Sequence, residues 1–121
     1  MDICCPRNPF LSDYPDYFNV GEWPRNDFED YISRHPDISW EHVHDVLSYF
    51  DVMNLSQWVT CPVMMGIGVQ DPTCPPRTNM ADYNNLSSSE KVLRVFGECR
   101  HGVEPGYNAE LSEWINKHML Y

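Results

Sequence analysis

The sequence predicts an α/β fold in which parallel strands are flanked by helices. The first observation is an apolar run at residues 63–69, without polar alternation and bounded by proline-containing segments. A short continuous run of this kind is typical of a strand that is buried on both faces. The second observation is the order strand, helix, strand, helix, because strands joined by a helix are parallel with a right-handed crossover. The length of 121 residues corresponds to one domain or less.

Residues 1–38 are predicted to be a loop-rich lead-in. Four of the ten prolines fall within the first 25 residues, together with several aromatic side chains. One helical turn is expected around residues 12–18. A short helix is expected at residues 27–34, with Asn26 as its N-cap. Pro36 should end this helix, because the residue before a proline avoids the helical region of backbone space.

Residues 39–121 are predicted to alternate between helices and strands. Ser39 is a favoured N-cap, and it precedes a face formed by Trp40, Val43, Leu47 and Phe50. The second strand carries two charges, which places it nearer to the edge of the sheet. Asn108 is a plausible cap for the last helix. The predicted elements are a helix at 40–51, a strand at 62–69, a helix at 76–86 beginning at Pro76, a strand at 91–97 and a helix at 107–119.

The charge balance limits the classes of partner. Eight Lys and Arg residues against 18 Asp and Glu residues give a formal net charge of −10. A surface this acidic repels phosphates, so neither nucleic acid nor an anionic membrane is an expected partner. No apolar run is long enough to span a bilayer, and the first residues show no signal-peptide pattern. On these grounds the expected location is the cytoplasm.

No metal site or cofactor is predicted from the sequence. The five cysteines, an odd number, include no C-x-x-C pair, so we expect reduced thiols. His42 and His44 form an H-x-H pair, but on the predicted helix their side chains point about 200° apart.

Two polar residues follow the predicted strands and are candidates for chemistry. Asp71 comes directly after the first strand, and His101 comes a few residues after the second. The carboxyl ends of parallel strands share one edge of the sheet, so the two side chains could meet within about 2.6–3.2 Å. An Asp-His pair can orient an imidazole as a general base. On spacing alone the pair is a weak signal, because Asp71 could simply be a turn-forming residue and His101 an ordinary exposed loop histidine.

Several segments resemble one family of enzymes. The segments are SYFDVMNL at 48–55, CPVMMGIGVQD at 61–71, CPPRT at 74–78, YN at 83–84 and PFLSDY at 9–14. They are similar to the C-terminal part of the acetyl xylan esterase and cephalosporin C deacetylase family, carbohydrate esterase family 7, which has the α/β-hydrolase fold. The resemblance implies the C-terminal part of that fold, covering about a third of a complete enzyme.

The resemblance also implies roles for the two candidate residues. The family uses a Ser-His-Asp triad, in which Asp71 matches the acid and His101 matches the base. Three features depart from the family pattern. The nucleophile motif G-x-S-x-G does not occur, Gly102 stands where the family usually has Glu, and the segment GECR at 97–100 before His101 is less typical of the family. The implied substrates are acetylated sugars or other small acetyl esters, no cofactor is implied, and the assembly is a homo-oligomer.

Two functions follow as alternatives. In the first, the chain is the C-terminal segment of a deacetylase and carries the Asp and the His but not the Ser. In the second, it is a non-catalytic, truncated remnant that acts as a binding or subunit module. In either case we expect the isolated chain to lack esterase activity, because the nucleophile and its oxyanion hole are missing. We also expect poor stability or self-association, because the strand at 62–69 would have an open edge.

Overall fold

A computed structural model describes residues 2–21 and 23–119 of the chain. Within these residues there are six helices and two strands, and from residue 39 onwards they follow the predicted order except that two helices, not one, precede the first strand. The elements are α1 Tyr14–Val20, α2 Arg25–Arg34, α3 Trp40–Ser48, α4 Val52–Ser56, β1 Val63–Gly68, α5 Pro76–Asn85, β2 Lys91–Phe96 and α6 Tyr107–Met119.

The two strands form a parallel pair. The register runs from Val63 opposite Lys91 to Gly68 opposite Phe96. All six residues of β1 are buried, whereas most of β2 is half-buried. The structure therefore confirms the α/β class, the parallel pairing and the assignment of β2 to the more exposed position.

The N-terminal segment supplies a third strand-like element. Its backbone pairs in parallel with the edge of β1 opposite β2, with bridges from Cys4 to Val63 and from Arg7 to Gly66. Four hydrogen bonds of 3.0–3.1 Å connect the two stretches of backbone. The expectation that this edge of β1 would be open is therefore wrong. The first residues are extended backbone that completes the burial of β1.

The helical boundaries differ from the prediction at several points. The expected single turn at 12–18 is a seven-residue helix, α1, with a proline in its first turn. Helix α2 begins at Arg25, and the carbonyl of Pro24 accepts its first backbone bonds, so Asn26 lies inside the helix and is not its N-cap. Likewise, α6 already begins at Tyr107, so Asn108 is its second residue and not the residue that precedes it.

The predicted helix at 40–51 is two helices, and Asp51 explains the break. Its Oδ1 accepts the backbone N–H of Met53 at 2.9 Å and so caps α4. The same carboxylate accepts the N–H groups of Asp13 and Tyr14, both at 2.8 Å, at the start of α1. A buried aspartate that satisfies two helix ends competes successfully with continuation of α3. As a result Phe50 is exposed and does not share the buried face of α3.

Among the described residues, buried apolar side chains form three clusters, two of which include residues of β1. The first consists of apolar residues of β1 and Leu86. The second joins Tyr14, Tyr17 and Phe18 to residues of α3. In the third, Tyr107 packs against Phe96 and Met64. All five cysteines are free. In the part of the chain that the structure describes, no helix combines the length and the apolar character needed to cross a bilayer.

Candidate active site

Asp71 lies in a tight loop that follows β1, and its side chain is buried. One carboxylate oxygen, Oδ1, accepts the backbone N–H of Thr73 at 2.8 Å and of Cys74 at 2.9 Å. This is the turn geometry that an aspartate before a proline favours. The turn-forming interpretation of Asp71 is therefore right, and it leaves the second oxygen, Oδ2, available for another partner.

The loop that carries Asp71 is held by two helices. The hydroxyl of Tyr17 on α1 donates to the carbonyl of Thr73 at 3.0 Å. The side-chain amide of Asn79 on α5 donates to the carbonyls of Cys74 and Pro75, both at 2.9 Å. Asn79 is fully buried. These bonds fix the backbone around Asp71 independently of His101.

His101 lies in the loop after β2, and its ring meets Asp71. The distance from Nδ1 of His101 to Oδ2 of Asp71 is 2.8 Å, within the range expected from the sequence. The two side chains differ in exposure: that of Asp71 is 0% exposed and that of His101 is 59% exposed. The structure thus brings the two predicted residues together, with the imidazole between the buried carboxylate and solvent.

The end of β1 brings the two loops close. The N–H of Val69 donates to the carbonyl of Phe96 and that of Gln70 to the carbonyl of Cys99, both at 2.9 Å. Gly68 makes this approach possible, because a Cβ at that position would lie 2.0 Å from the carbonyl oxygen of Arg100. The sequence-based prediction missed Gly68, although a glycine near the end of a buried strand is a known sign of close backbone approach.

Cys74 is a third side chain at this site that sequence reasoning missed. Its thiol, the Asp71 carboxylate and the His101 ring each offer an atom, and these atoms lie within 4.8 Å of one another. Burial, and then the negative charge of Asp71, raise the pKa of the Cys74 thiol to about 11. The thiol is therefore protonated at neutral pH. The spacing D-x-x-C within one loop was the available signal for this residue.

Among the described residues, the arrangement provides a carboxylate, an imidazole and a protonated thiol, but no serine hydroxyl. A buried carboxylate that accepts a bond from Nδ1 holds the ring in the tautomer whose Nε2 can take a proton. Within residues 2–21 and 23–119, no serine hydroxyl forms a hydrogen bond with His101. A hydroxyl for this pair to activate would have to come from outside the described residues.

Among protein-family models, that of acetyl xylan esterase (AXE1) matches the chain over residues 2–118. Among curated proteins, the chain is 26% identical over 120 residues to the acetyl esterase Axe7A of Xylanibacter ruminicola. That alignment covers 97% of this chain but 26% of the relative.

Two solved structures are similar over nearly the whole chain. They are an acetyl xylan esterase from Paenibacillus sp. R4 and acetyl xylan esterase 1 from Thermoanaerobacterium sp. JW/SL YS485. Each is 27% identical with a TM-score of 0.85, and the matches cover 98% and 99% of this chain. The chain spans 38% and 39% of the length of those two proteins.

Proposed function

Since the chain belongs to the acetyl xylan esterase (AXE1) family, we propose that it is the C-terminal part of a carbohydrate esterase that removes acetyl groups from acetylated sugars. In this proposal, Asp71 and His101 are the acid and the base of a Ser-His-Asp triad. The observation that carries it is the 2.8 Å contact between Nδ1 of His101 and the buried carboxylate of Asp71. The two solved acetyl xylan esterases are similar over this whole region.

The geometry suits His101 for proton transfer. With Nδ1 bonded to Asp71, Nε2 takes the proton of a serine hydroxyl as the oxygen attacks the acetyl carbonyl. The imidazolium then protonates the sugar alkoxide, which leaves while the acetyl group stays on the serine. In the second half, Nε2 takes a proton from water while the water oxygen attacks the acetyl-serine. The imidazolium then gives that proton to the departing serine oxygen, so acetate is released and the serine hydroxyl is restored. The negative Asp71 stabilises the imidazolium in both halves.

The serine in this mechanism belongs to sequence outside the 121 residues, because no G-x-S-x-G motif occurs among them. The isolated chain is therefore expected to hydrolyse p-nitrophenyl acetate no faster than buffer. An in-frame G-x-S-x-G segment in the coding DNA before residue 1 would support the deacetylase proposal.

A chimera tests the proposal directly. The chain replaces the stretch of the Thermoanaerobacterium esterase that it matches, and under this proposal the rest of that esterase contributes the serine and the oxyanion hole. We expect the chimera to release acetate from acetylated xylan. His101→Ala should lower kcat by at least about 10³-fold, and Asp71→Asn by about 10²–10⁴-fold, as in other triads.

His35→Ala is the matched control, since His35 is an exposed histidine at the end of α2. It should leave kcat unchanged. Circular dichroism and thermal unfolding establish that each chimera is folded. A folded chimera whose rate is the same with and without His101 would contradict the proposal. The non-catalytic alternative, a binding or subunit module, would then be the better account of the chain.

A further inference from the structure

Three side chains of different chemistry converge on one side of the sheet. They are the carboxylate of Asp71, the thiol of Cys74 and the imidazole of His101, with their potential ligand atoms within 4.8 Å of one another. A tetrahedral zinc site with oxygen, sulfur and nitrogen ligands requires separations of about 3.4–3.6 Å between those atoms. The distance from Nδ1 of His101 to Oδ2 of Asp71 is 2.8 Å, and no separation among the three groups exceeds 4.8 Å, so the observed distances bracket the required ones and small side-chain rotations would reach them.

We propose that Asp71, Cys74 and His101 bind a zinc ion, with Oδ2, Sγ and Nδ1 as ligands. The inference goes beyond the proposed function and does not depend on it, because it uses only the positions of these three side chains. Carboxylate, thiolate and imidazole are all ligands that zinc accepts, and three protein ligands leave a fourth position for water.

The loop geometry favours this use of the carboxylate. Two backbone N–H groups hold Oδ1 of Asp71, so the same aspartate presents Oδ2 towards His101. Asp71 and Cys74 are buried and already fixed by the bonds from α1 and α5. His101 is exposed and gives the ion access from solvent. Two fixed ligands and one movable ligand form a partly organised site.

Binding can be written with balanced protons. The Cys74 thiol loses its proton to solvent and becomes a thiolate ligand. The His101 ring releases its Nδ1 proton to solvent and takes one from solvent on Nε2, so it stays neutral and its Nδ1 lone pair binds the metal in place of the hydrogen bond to Asp71. Asp71 binds as a carboxylate. A bound cation reverses the effect of burial on the thiol, because it stabilises the thiolate directly. In a complete esterase the ion would occupy the atoms that orient the base, so zinc would inhibit hydrolysis reversibly.

Cobalt is the probe for this site, because Co²⁺ takes the place of zinc and reports its ligands by absorption. The 121-residue chain is titrated with Co²⁺ and then with Zn²⁺. We expect one Co²⁺ per chain, visible tetrahedral bands and a near-ultraviolet thiolate-to-cobalt band that zinc abolishes. This measurement needs no esterase activity, so its failure is separate from failure of the proposed function.

Matched variants locate the ion. Cys74→Ser should remove the thiolate band, while Cys61→Ser, at a half-buried thiol before β1, should keep it. His101→Ala should weaken Co²⁺ binding at least about 100-fold, since even indirect partners of metal ligands contribute about 10–100-fold. His35→Ala should leave the affinity unchanged. His101 is exposed, so His101→Ala remains informative if Cys74→Ser fails to fold.

Three results would overturn the proposal. They are the absence of a thiolate band in the unmodified chain, a band that survives Cys74→Ser but is lost in Cys61→Ser, and an affinity that His101→Ala leaves unchanged. The second would place the metal at the thiols near the N-terminal segment.

Discussion

The two loops that form the Asp-His pair are built in different ways. The loop of residues 70–75 is fixed by side chains from α1, α5 and its own Asp71, all buried or half-buried. The loop of residues 97–106 is held mainly by backbone contacts with the end of β1, and the His101 side chain bonds only to Asp71 among the described residues. The position of Asp71 is therefore fixed by several parts of this chain, whereas the position of the His101 ring depends on Asp71.

Removing the Asp71 side chain should have the largest effect on stability. Asp71→Ala leaves the backbone N–H groups of Thr73 and Cys74 without their acceptor in a buried loop. We expect the free energy of unfolding to fall by about 3–4 kcal/mol, measured by urea unfolding with circular dichroism. His101→Ala, at an exposed side chain, should change it by less than about 0.5 kcal/mol.

The losses of unfolding free energy in Asp71→Ala and His101→Ala, set side by side, test whether the loop of residues 70–75 is held more firmly than the loop of residues 97–106. Asp71→Asn keeps an acceptor oxygen for the turn, so it should cost clearly less than Asp71→Ala. Equal losses for Asp71→Ala and His101→Ala would mean that the two loops are held to the same degree, which contradicts the difference in anchoring.

A buried aspartate on α5, Asp82, should make the free energy of unfolding of the chain depend on pH. Burial raises the pKa of Asp82 from 3.8 to about 7; the nearby charges of Asp51 and Asp13 add to this, and the hydrogen bond from Ser12 opposes it. Between these two values the folded chain holds a proton that the unfolded chain lacks. Stability is therefore greatest at low pH within this window and is lost as the pH rises through about 7.

We expect the unfolding free energy to fall by about 2–3 kcal/mol between pH 5 and pH 8 through this one group. Asp82→Asn should remove that part of the pH dependence, as measured by urea unfolding at both pH values. Asp45→Asn, at an exposed position on α3, is the control and should keep it. A pH dependence that is the same in Asp82→Asn and in the unmodified chain would show that Asp82 does not titrate in this range.

A substitution at the end of β1, Gly68→Ala, should disrupt the contact between the two loops. Gly68→Ala places a Cβ 2.0 Å from the Arg100 carbonyl oxygen and 2.7 Å from that of Cys99, so the loop before His101 must move. We expect a loss of about 2 kcal/mol, typical of overpacking, together with loss of the Asp71–His101 bond. The imidazole nitrogen chemical shifts of His101 report that bond directly.

Gly102→Ala is the matched control for the glycine test. No atom lies within 4 Å of the position that its Cβ would take. It should therefore leave both stability and the His101 chemical shifts close to those of the unmodified chain. A Gly68→Ala variant with an unchanged His101 signal would show that the loop adjusts without losing the pair.

The sequence was sufficient for the elements that local patterns determine. The apolar run of β1, Pro76 at the start of α5 and the spacing of α6 predicted the parallel sheet and its helices. The pairing of Asp71 with His101 was also predictable, because it follows from two parallel strands that end at one edge. The family resemblance added roles for the pair, and those roles remain proposals.

The features that were missed depend on long-range contacts. Asp51 breaks the predicted helix at 40–51 because it caps α4 and also binds the start of α1, some 37 residues away in sequence. The N-terminal segment at residues 4–7 was predicted to be a loop because its pairing partner, β1, is about 60 residues away in sequence and no local pattern indicates the pairing. Gly68 and Cys74 gain their importance only when the two loops meet, which no local pattern records.

The smallest expected effect concerns the tie between α1 and the loop of Asp71. Tyr17→Phe removes the hydroxyl that donates to the Thr73 carbonyl at 3.0 Å, and the buried ring keeps its place in the aromatic cluster. We expect a loss of about 1 kcal/mol in urea unfolding, the usual contribution of one such bond. Tyr31→Phe, at an exposed tyrosine on α2, should lose less.

Hydrogen exchange shows which part of the chain the Tyr17 hydroxyl stabilises. If it holds only the loop of Asp71, the Cys74 amide should exchange faster in Tyr17→Phe, while the amides of β2 keep their rates. Faster exchange throughout the sheet would instead mean that the hydroxyl supports the whole domain and not the loop.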